Sequence, residues 1–183
     1  MSRTTVPVGM LTNTPPVLLS SQDASSSSTL NFTGLTGYTS YSVELCNVAP
    51  ATNSVALVVR VSDDNGATYK AGGTDYSYAY LRSASGGSSN QGSASASYIA
   101  LIDAIRNSAN QGVTGYMTLG RLSGTRLKQF SWIIGGYLAD NAMWTANGSG
   151  AYAATDSTTI NAIQFLTTSG NIASGTIRVY GVL

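Results

Sequence analysis

Few side chains in this sequence could carry out catalysis. It contains no histidine, which excludes histidine-dependent triads and proton shuttles, and its single thiol, Cys46, has no cationic residue nearby in the sequence to activate it. The only glutamate, Glu44, lies within a predicted strand, and the aspartates are scattered or lie in a turn. Two carboxylates can hydrolyse a glycoside, but this distribution favours solvent-facing and turn-forming roles. We therefore predict no enzymatic activity.

Metal and cofactor sites are also poorly represented. Residues 63–66, Asp-Asp-Asn-Gly, offer oxygen ligands for calcium, but the further ligands of a calcium-binding helix-loop-helix do not follow them. The Asn-Gly pair instead favours a tight reversal of the chain. The sequence has no Cys/His cluster for zinc, and its glycine-rich pieces lack the lysine of a phosphate-binding loop. We predict no metal and no cofactor.

Aromatic residues provide the clearest candidates for ligand binding. Tyr76, Tyr78 and Tyr80 alternate with smaller residues and so share one face of a predicted strand, and Trp132 and Trp144 follow later. Such rings beside hydroxyls and amides would suit the binding of host glycans. Tyrosine and tryptophan are also enriched in protein cores and subunit interfaces, and we favour that structural role.

The composition excludes several classes of partner. Charged residues make up 9% of the chain and the formal net charge is +1, so the long-range attraction that nucleic-acid binding requires is absent. Serine and threonine supply roughly a quarter of the residues, which predicts a surface covered by hydroxyls. The sequence has neither a run of eighteen apolar residues nor a basic segment followed by an apolar one, so we predict no membrane insertion and no standard secretion signal.

Apolar residues alternate with polar ones over many short segments, which predicts an all-β fold. Residues 41–47 and 55–61 are predicted to be neighbouring strands of one sheet, with a third strand starting near Ala67. Residues 83–97 are so rich in Ser, Ala and Gly that we predict a surface loop. Further strands are predicted at residues 17–20, 30–32, 113–119, 127–137, 142–145, 159–166 and 176–183. Residues 98–105 fit a short helix about as well as a strand, and we assign them as a strand.

These strands imply a sandwich of two packed sheets over residues 17–183, with residues 1–16 as a short extended arm. The first strand is expected to form a hairpin with the strand at residues 30–32. Three prolines within residues 1–16 argue against regular structure there, so the arm is expected either to stay mobile or to lie on a neighbouring molecule, and we favour the second. The core is predicted to contain Leu45, Leu57, Val59, Phe165 and Ile177, and the anchoring residues of the arm are predicted to be Val6, Val8, Met10 and Leu11.

Residues 169–181, with the sequence SGNIASGTIRVYG, closely resemble the closing motif of a family of tailed-bacteriophage virion proteins. Within this motif we expect Gly170 and Asn171 to form a hairpin turn and Gly175 to accommodate a bulge. Residues 18–35 and 38–48, followed by Pro50, resemble the front half of the same domain. The resemblance implies a β-jelly roll of the kind found in tail fibres, baseplate-associated pieces and small head-surface proteins. It implies a structural or adhesive role and carries no catalytic residues.

The resemblance implies a virion structural protein, and the absence of catalytic residues makes it non-enzymatic. The short arm favours a capsid-surface decoration or head-fibre protein over a long tail fibre. We expect it to assemble as a homotrimer and to contact other virion proteins such as the major capsid or tail protein. Its expected location is the virion, which is assembled in the host cytoplasm. The alternative is a tail-fibre or adhesin module that binds host glycans. A polysaccharide-degrading enzyme ranks third.

Overall fold

The structure of the protein is a computed structural model that describes residues 15–108, 110–120, 122–124, 127–153 and 158–183. Within these ranges the chain is all-β. The predicted anchoring residues Val6, Val8, Met10 and Leu11 lie outside the described residues. The strands are β1 Val17–Asp23, β2 Leu30–Phe32, β3 Ser40–Pro50, β4 Val55–Ser62, β5 Tyr76–Ala84, β6 Gly87–Ala96, β7 Ile99–Ile105, β8 Val113–Leu119, β9 Lys128–Tyr137, β10 Met143–Tyr152, β11 Ala162–Thr167 and β12 Ile172–Val182.

The strands form two antiparallel sheets that pack as a sandwich. The large sheet has the order β1-β12-β3-β8-β9-β10-β5-β6, and the small sheet has the order β2-β11-β4-β7. The quartets β1-β12-β3-β8 and β2-β11-β4-β7 together have the strand order of a jelly roll. Two inserted hairpins, β5–β6 and β9–β10, extend the large sheet beyond β8. The predicted jelly-roll-like sandwich is therefore confirmed.

The core lies between the two sheets, and strand periodicity determines which residues enter it. In β3, Tyr41, Val43 and Leu45 are buried, whereas the alternating Ser42 and Glu44 are only partly covered. Burying one such large apolar side chain stabilises the fold by about 1.5–3 kcal/mol. The five predicted core residues are all fully buried, which confirms the prediction: Leu45, Leu57, Val59, Phe165 and Ile177.

Two predicted strand pairings are wrong. Strands β3 and β4 lie in different sheets, because the turn at residues 51–54, where Ser54 has a φ of 61°, carries the chain over the end of the sandwich. Strands β1 and β2 likewise belong to opposite sheets and do not form the expected hairpin. Alternation of apolar residues identifies the buried face of a strand but does not identify its neighbour.

Three segments differ from the prediction in secondary structure. The strand predicted at residues 142–145 continues to Tyr152 as β10. A strand was expected near Ala67, but residues 63–75 form turns and β5 starts at Tyr76. Residues 83–97 were expected to be a loop, but β6 occupies Gly87–Ala96 and pairs along β5. Backbone hydrogen bonds to β5 are sufficient to order this last strand of the sheet, so it needs few bulky side chains.

The closing motif forms the turn that follows β11 and most of β12. Gly170 has a φ of 70° in the turn, which connects the two sheets instead of closing the predicted hairpin. Gly175 has a φ of 110° where the register between β12 and β3 shifts, which confirms the predicted bulge. Ile177 and Val179 are fully buried beyond it, and Arg178 between them faces the opposite side.

Candidate binding face

The outer face of the large sheet carries small, uncharged side chains where the inserted hairpins extend it. Cross-strand register aligns Thr118 of β8 with Ser131 of β9, Ser131 with Ser149 of β10, and Ser149 with Ala79 of β5. Gly92 of β6 continues this row. Alternation along each strand directs these side chains away from the core. The result is one continuous low strip that crosses five strands.

A groove of about 870 Å³ follows this strip. An adjoining depression of about 510 Å³ shares Ala79 and Ser149 with it and extends toward Asn90 and Asn147. The groove is of the size that binds small ligands, although it is open to solvent. In the part of the chain that the structure describes, none of the lining residues is charged. They are Ser77, Tyr78, Ala79, Gly92, Ser93, Ala94, Thr118, Gly120, Gln129, Phe130, Ser131, Ser149, Gly150 and Ala151.

An apolar ridge lies beside the groove on the neighbouring row of the same face. Tyr116 is 56% exposed, Ile133 54% and Leu81 44%. Tyr116 pairs with Ile133 across β8 and β9, and Ile133 pairs with Asn147 of β10, which pairs with Leu81 of β5. The strip, the groove and the ridge together form the candidate binding face, called the binding face below. It presents exposed apolar groups directly next to hydroxyls and amides.

A polar network continues the ridge toward β3 and β12. Glu44 is the cross-strand neighbour of Tyr116, and its Oε2 accepts hydrogen bonds from the Tyr180 hydroxyl at 3.0 Å and from Arg178 Nη1 at 3.2 Å. These two donors, Tyr180 first, lower the pKa of Glu44, and the hydrogen bond to Glu44 raises the pKa of Tyr180. The only glutamate is therefore bound to neighbouring side chains on the sheet surface.

The surroundings of Cys46 differ from those that the sequence suggested. Its sulfur lies 3.3 Å from Arg178 Nη1, although 132 residues separate the two in the chain. The antiparallel pairing of β3 with β12 brings them together. Reasoning from sequence neighbours missed this cation, and only the register of the closing strand could have revealed it.

The predicted aromatic residues face mainly inward. Tyr76, Tyr80 and Trp132 are nearly or completely buried, so a sugar-stacking platform that includes them is wrong. Burial raises the pKa of both tyrosines well above the ordinary value. Tyr78, at partial exposure, stacks on Tyr80 with ring centroids 6.3 Å apart. Only Tyr78 and Trp144 of the five keep appreciable exposure, which agrees with the favoured structural role.

An ionic cluster joins the inserted β5 to β7 of the small sheet. Asp103 Oδ1 accepts hydrogen bonds from Arg82 Nη1 and from the Tyr80 hydroxyl, both at 2.9 Å. The Arg82 guanidinium also lies 4.7 Å from the centre of the Trp144 ring, and the Trp144 indole donates to Asp140 at 2.9 Å. Of these contacts, the two hydrogen bonds to Asp103 join the large sheet to the small one, and the contacts of Trp144 support Arg82 from within the large sheet.

The acidic turn at residues 63–66 is a turn, as predicted. Asn65 and Gly66 both have positive φ values, of 58° and 88°.

The carboxylates of this turn are bonded within the loop. Asp64 accepts hydrogen bonds from the Ser62 hydroxyl at 2.6 Å and from the Thr68 hydroxyl at 2.5 Å, while Asp63 pairs with Lys70 at 2.8 Å. Both carboxylate oxygens of Asp64 are thereby hydrogen-bonded within the loop. Across the described ranges, the structure groups no three acidic, histidine or cysteine side chains as a metal site.

Lys128 is a residue that the sequence analysis did not single out. Its side chain is fully buried at the start of β9, and its ammonium donates a hydrogen bond to the Gly124 carbonyl at 2.9 Å. Lys128, Phe130 and Trp132 occupy alternate positions of β9 and all face the core. This alternation in the sequence could have predicted that Lys128 is buried. A buried ammonium needs partners such as the Gly124 carbonyl, because a charge without hydrogen bonds is costly to remove from water.

Comparisons with protein families and with curated proteins find no match to this chain. In the part of the chain that the structure describes, no helix has the length and apolar character needed to cross a membrane.

Proposed function

We propose that the chain is a non-enzymatic structural protein of a bacteriophage virion, held at the particle surface as a capsid decoration or head-fibre protein. The observation that carries this proposal is the jelly-roll strand order, because it agrees with the fold that the resemblance of residues 169–181 implies. That motif is structurally central, since β12 pairs with both β1 and β3 along its length.

One edge of the large sheet is suited to attachment. The end strand β1 exposes Val17 by 42% and Leu18 by 52%, and Leu183, which follows the adjacent β12, is 68% exposed. Residues 1–16, with their apolar Val6, Val8, Met10 and Leu11, join the domain at this same edge. Attachment through such groups rests on apolar burial and main-chain hydrogen bonds, so it should depend little on salt.

Removing the arm tests this proposal. We expect a chain lacking residues 2–15 to fold but to be absent from particles made by the genome that encodes it, as measured by mass spectrometry of purified virions. A sharper pair changes Val6, Val8, Met10 and Leu11 together to serine, against a control that changes Thr4, Thr5, Thr12 and Asn13 together to serine. Only the first set should lower incorporation. Normal incorporation of both sets would place the attachment surface on the folded domain.

Assembly as a homotrimer is part of the same proposal. Native mass spectrometry of the purified full chain should show three copies of the 18.9 kDa subunit. A map of the intact particle would then locate the trimer on the head or on the tail.

A receptor-binding module is the second candidate, and the groove on the outer face favours it. In the sheet order, β10 lies five strand spacings from β1, which is about 24 Å at the usual separation of strands. A molecule attached through the β1 edge would therefore present the groove away from its support.

A further inference from the structure

We propose that the groove of the binding face binds an uncharged saccharide. This inference rests on the second candidate function and gives the chemical class of the ligand. The polar side chains of the groove are Ser77, Ser93, Thr118, Gln129, Ser131 and Ser149, and its floor includes Ala79, Gly92 and Gly150. Small floor residues allow a sugar ring to approach the backbone closely.

The polar side chains of the groove are available to a ligand. Among the described residues, Thr118, Gln129, Ser131 and Ser149 form no side-chain hydrogen bond with another residue, whereas Ser93 donates to the Ser95 carbonyl at 2.7 Å. Hydroxyls and amides both donate and accept, which matches the hydroxyl groups of a saccharide. Within the described ranges, the lining carries no charge that would favour an ionic ligand over a neutral one.

The apolar ridge complements these hydroxyls. A pyranose ring has an apolar face and a hydroxylated edge, and the binding face places Tyr116 and Ile133 directly beside Thr118 and Ser131. Tyrosine combines a large apolar surface with a polar tip, so it packs well against such a ring. From Tyr116 on β8 to Leu81 on β5 the ridge crosses three strand spacings, about 14 Å, which is long enough for an oligosaccharide.

The direction of the groove disfavours an extended peptide. A peptide strand binds a sheet by pairing with the main chain of an edge strand. The groove instead runs across β8, β9, β10 and β5, whose main chains pair with neighbours on both sides, and reaches β6, the last strand of the sheet, only at its end. Over most of the groove a ligand must therefore be recognised by side chains.

The test is binding of purified full-length protein to a panel of uncharged oligosaccharides built from glucose, galactose, mannose and N-acetylglucosamine, with sialylated and phosphorylated counterparts. Titration is followed by changes in amide chemical shifts. We expect millimolar or tighter binding of at least one uncharged member, with shifts centred on Ser131 and Ser149. No uncharged member binding at millimolar concentration, or binding of charged members alone, overturns the proposal.

Two matched variants make the test specific to the groove. Ser149→Phe fills the groove from its exposed position on β10, and Thr145→Phe adds the same ring on the same strand and face outside it. We expect Ser149→Phe to weaken binding by at least about tenfold and Thr145→Phe to leave it unchanged, with circular dichroism checking the fold of both. Tyr116→Ala, which removes one stacking ring, should weaken binding by about tenfold.

Two outcomes separate this proposal from others on the same face. If Ser149→Phe breaks up an oligomer and leaves saccharide binding intact, the groove is an interface between copies of the chain and the proposal is wrong. Incorporation of Ser149→Phe into virions reports on the structural function alone. Loss of saccharide binding with normal incorporation supports both assignments, whereas normal binding with lost incorporation contradicts the groove as a saccharide site.

Discussion

Arg82 Nη1 lies 2.9 Å from Asp103 Oδ1 and so connects the inserted hairpin of the large sheet to β7 of the small sheet. The same carboxylate oxygen accepts the Tyr80 hydroxyl at 2.9 Å. The Asp103 side chain is 34% exposed and the Arg82 side chain 18% exposed, so solvent weakens the attraction between them. The contact matters chiefly because both of its donors come from the inserted β5.

Asp103→Ala should therefore destabilise the protein by about 1–2 kcal/mol, because it leaves the Arg82 guanidinium and the Tyr80 hydroxyl without their acceptor. Urea unfolding followed by circular dichroism measures this free energy. Asp23→Ala is the control, since Asp23 is exposed and accepts only the Thr176 hydroxyl on the sheet edge, and it should cost about 0.5 kcal/mol or less. Equal losses of unfolding free energy in the two variants would show that the contact between the sheets stabilises the fold no more than a surface hydrogen bond does.

Tyr76 forms a second connection between the sheets. Its hydroxyl accepts a hydrogen bond from the Val61 amide at 2.9 Å and donates one to the Lys70 carbonyl at 3.0 Å, within the buried core. Tyr76→Phe leaves both main-chain groups unpaired and should cost about 1–3 kcal/mol in the free energy of unfolding. Tyr116→Phe removes an exposed hydroxyl and should change it by less than about 0.5 kcal/mol. A neutral Tyr76→Phe would mean that water replaces the lost partner.

The inward-facing residues could be predicted from the sequence because parity along a strand is a local property. Leu45 and Ile177 illustrate this, since each is flanked by outward-facing polar residues that mark its face. The sheet to which a strand belongs is decided at the corners, such as Ser54 and Gly170, where the chain crosses between layers. Local patterns do not distinguish such a corner from a hairpin turn, and the pairing of β3 with β4 was wrong for this reason.

The binding face could not be predicted at all. Thr118, Ser131 and Ser149 are ordinary residues of a serine- and threonine-rich chain, and they become a groove only through the register of three strands. The aromatic residues gave a stronger signal but a misleading one. Alternation groups Tyr76 with Tyr80 correctly on one face, and this face belongs to the core.

Gly175 should be intolerant of any side chain. A Cβ atom there would lie 2.5 Å from the Asn47 oxygen and 2.5 Å from Val48 Cα, and its φ of 110° is one that other residues rarely adopt. Gly175→Ala should cost about 2–5 kcal/mol through overpacking and backbone strain, measured as the free energy of unfolding. Gly73→Ala is the matched control, since nothing lies within 4 Å of its added Cβ. A mild Gly175→Ala would show that the bulge can shift its register.

The acidic turn should make stability depend on pH in a defined direction. Hydrogen bonds from the Ser62 and Thr68 side chains hold the pKa of Asp64 far below its ordinary value of 3.8. A carboxylate with a depressed pKa in the folded state stabilises the fold above the unfolded pKa and loses that contribution as the pH falls toward the folded value. The stabilising effect of Asp64 is therefore complete at neutral pH and decreases below about pH 3.8.

Asp64→Asn tests this dependence. At neutral pH the variant should unfold at a lower urea concentration than the wild type, because an amide cannot accept all the hydrogen bonds that the carboxylate accepts from Ser62 and Thr68. As the pH falls below about 3.8 the two unfolding midpoints should converge, since the unfolded wild type then takes up a proton at Asp64 that the folded state still excludes. Other carboxylates, including Glu44, are present in both proteins, so the difference between the midpoints isolates Asp64. A difference that stays constant as the pH falls would assign the effect of the substitution to the shape of the loop and not to its charge.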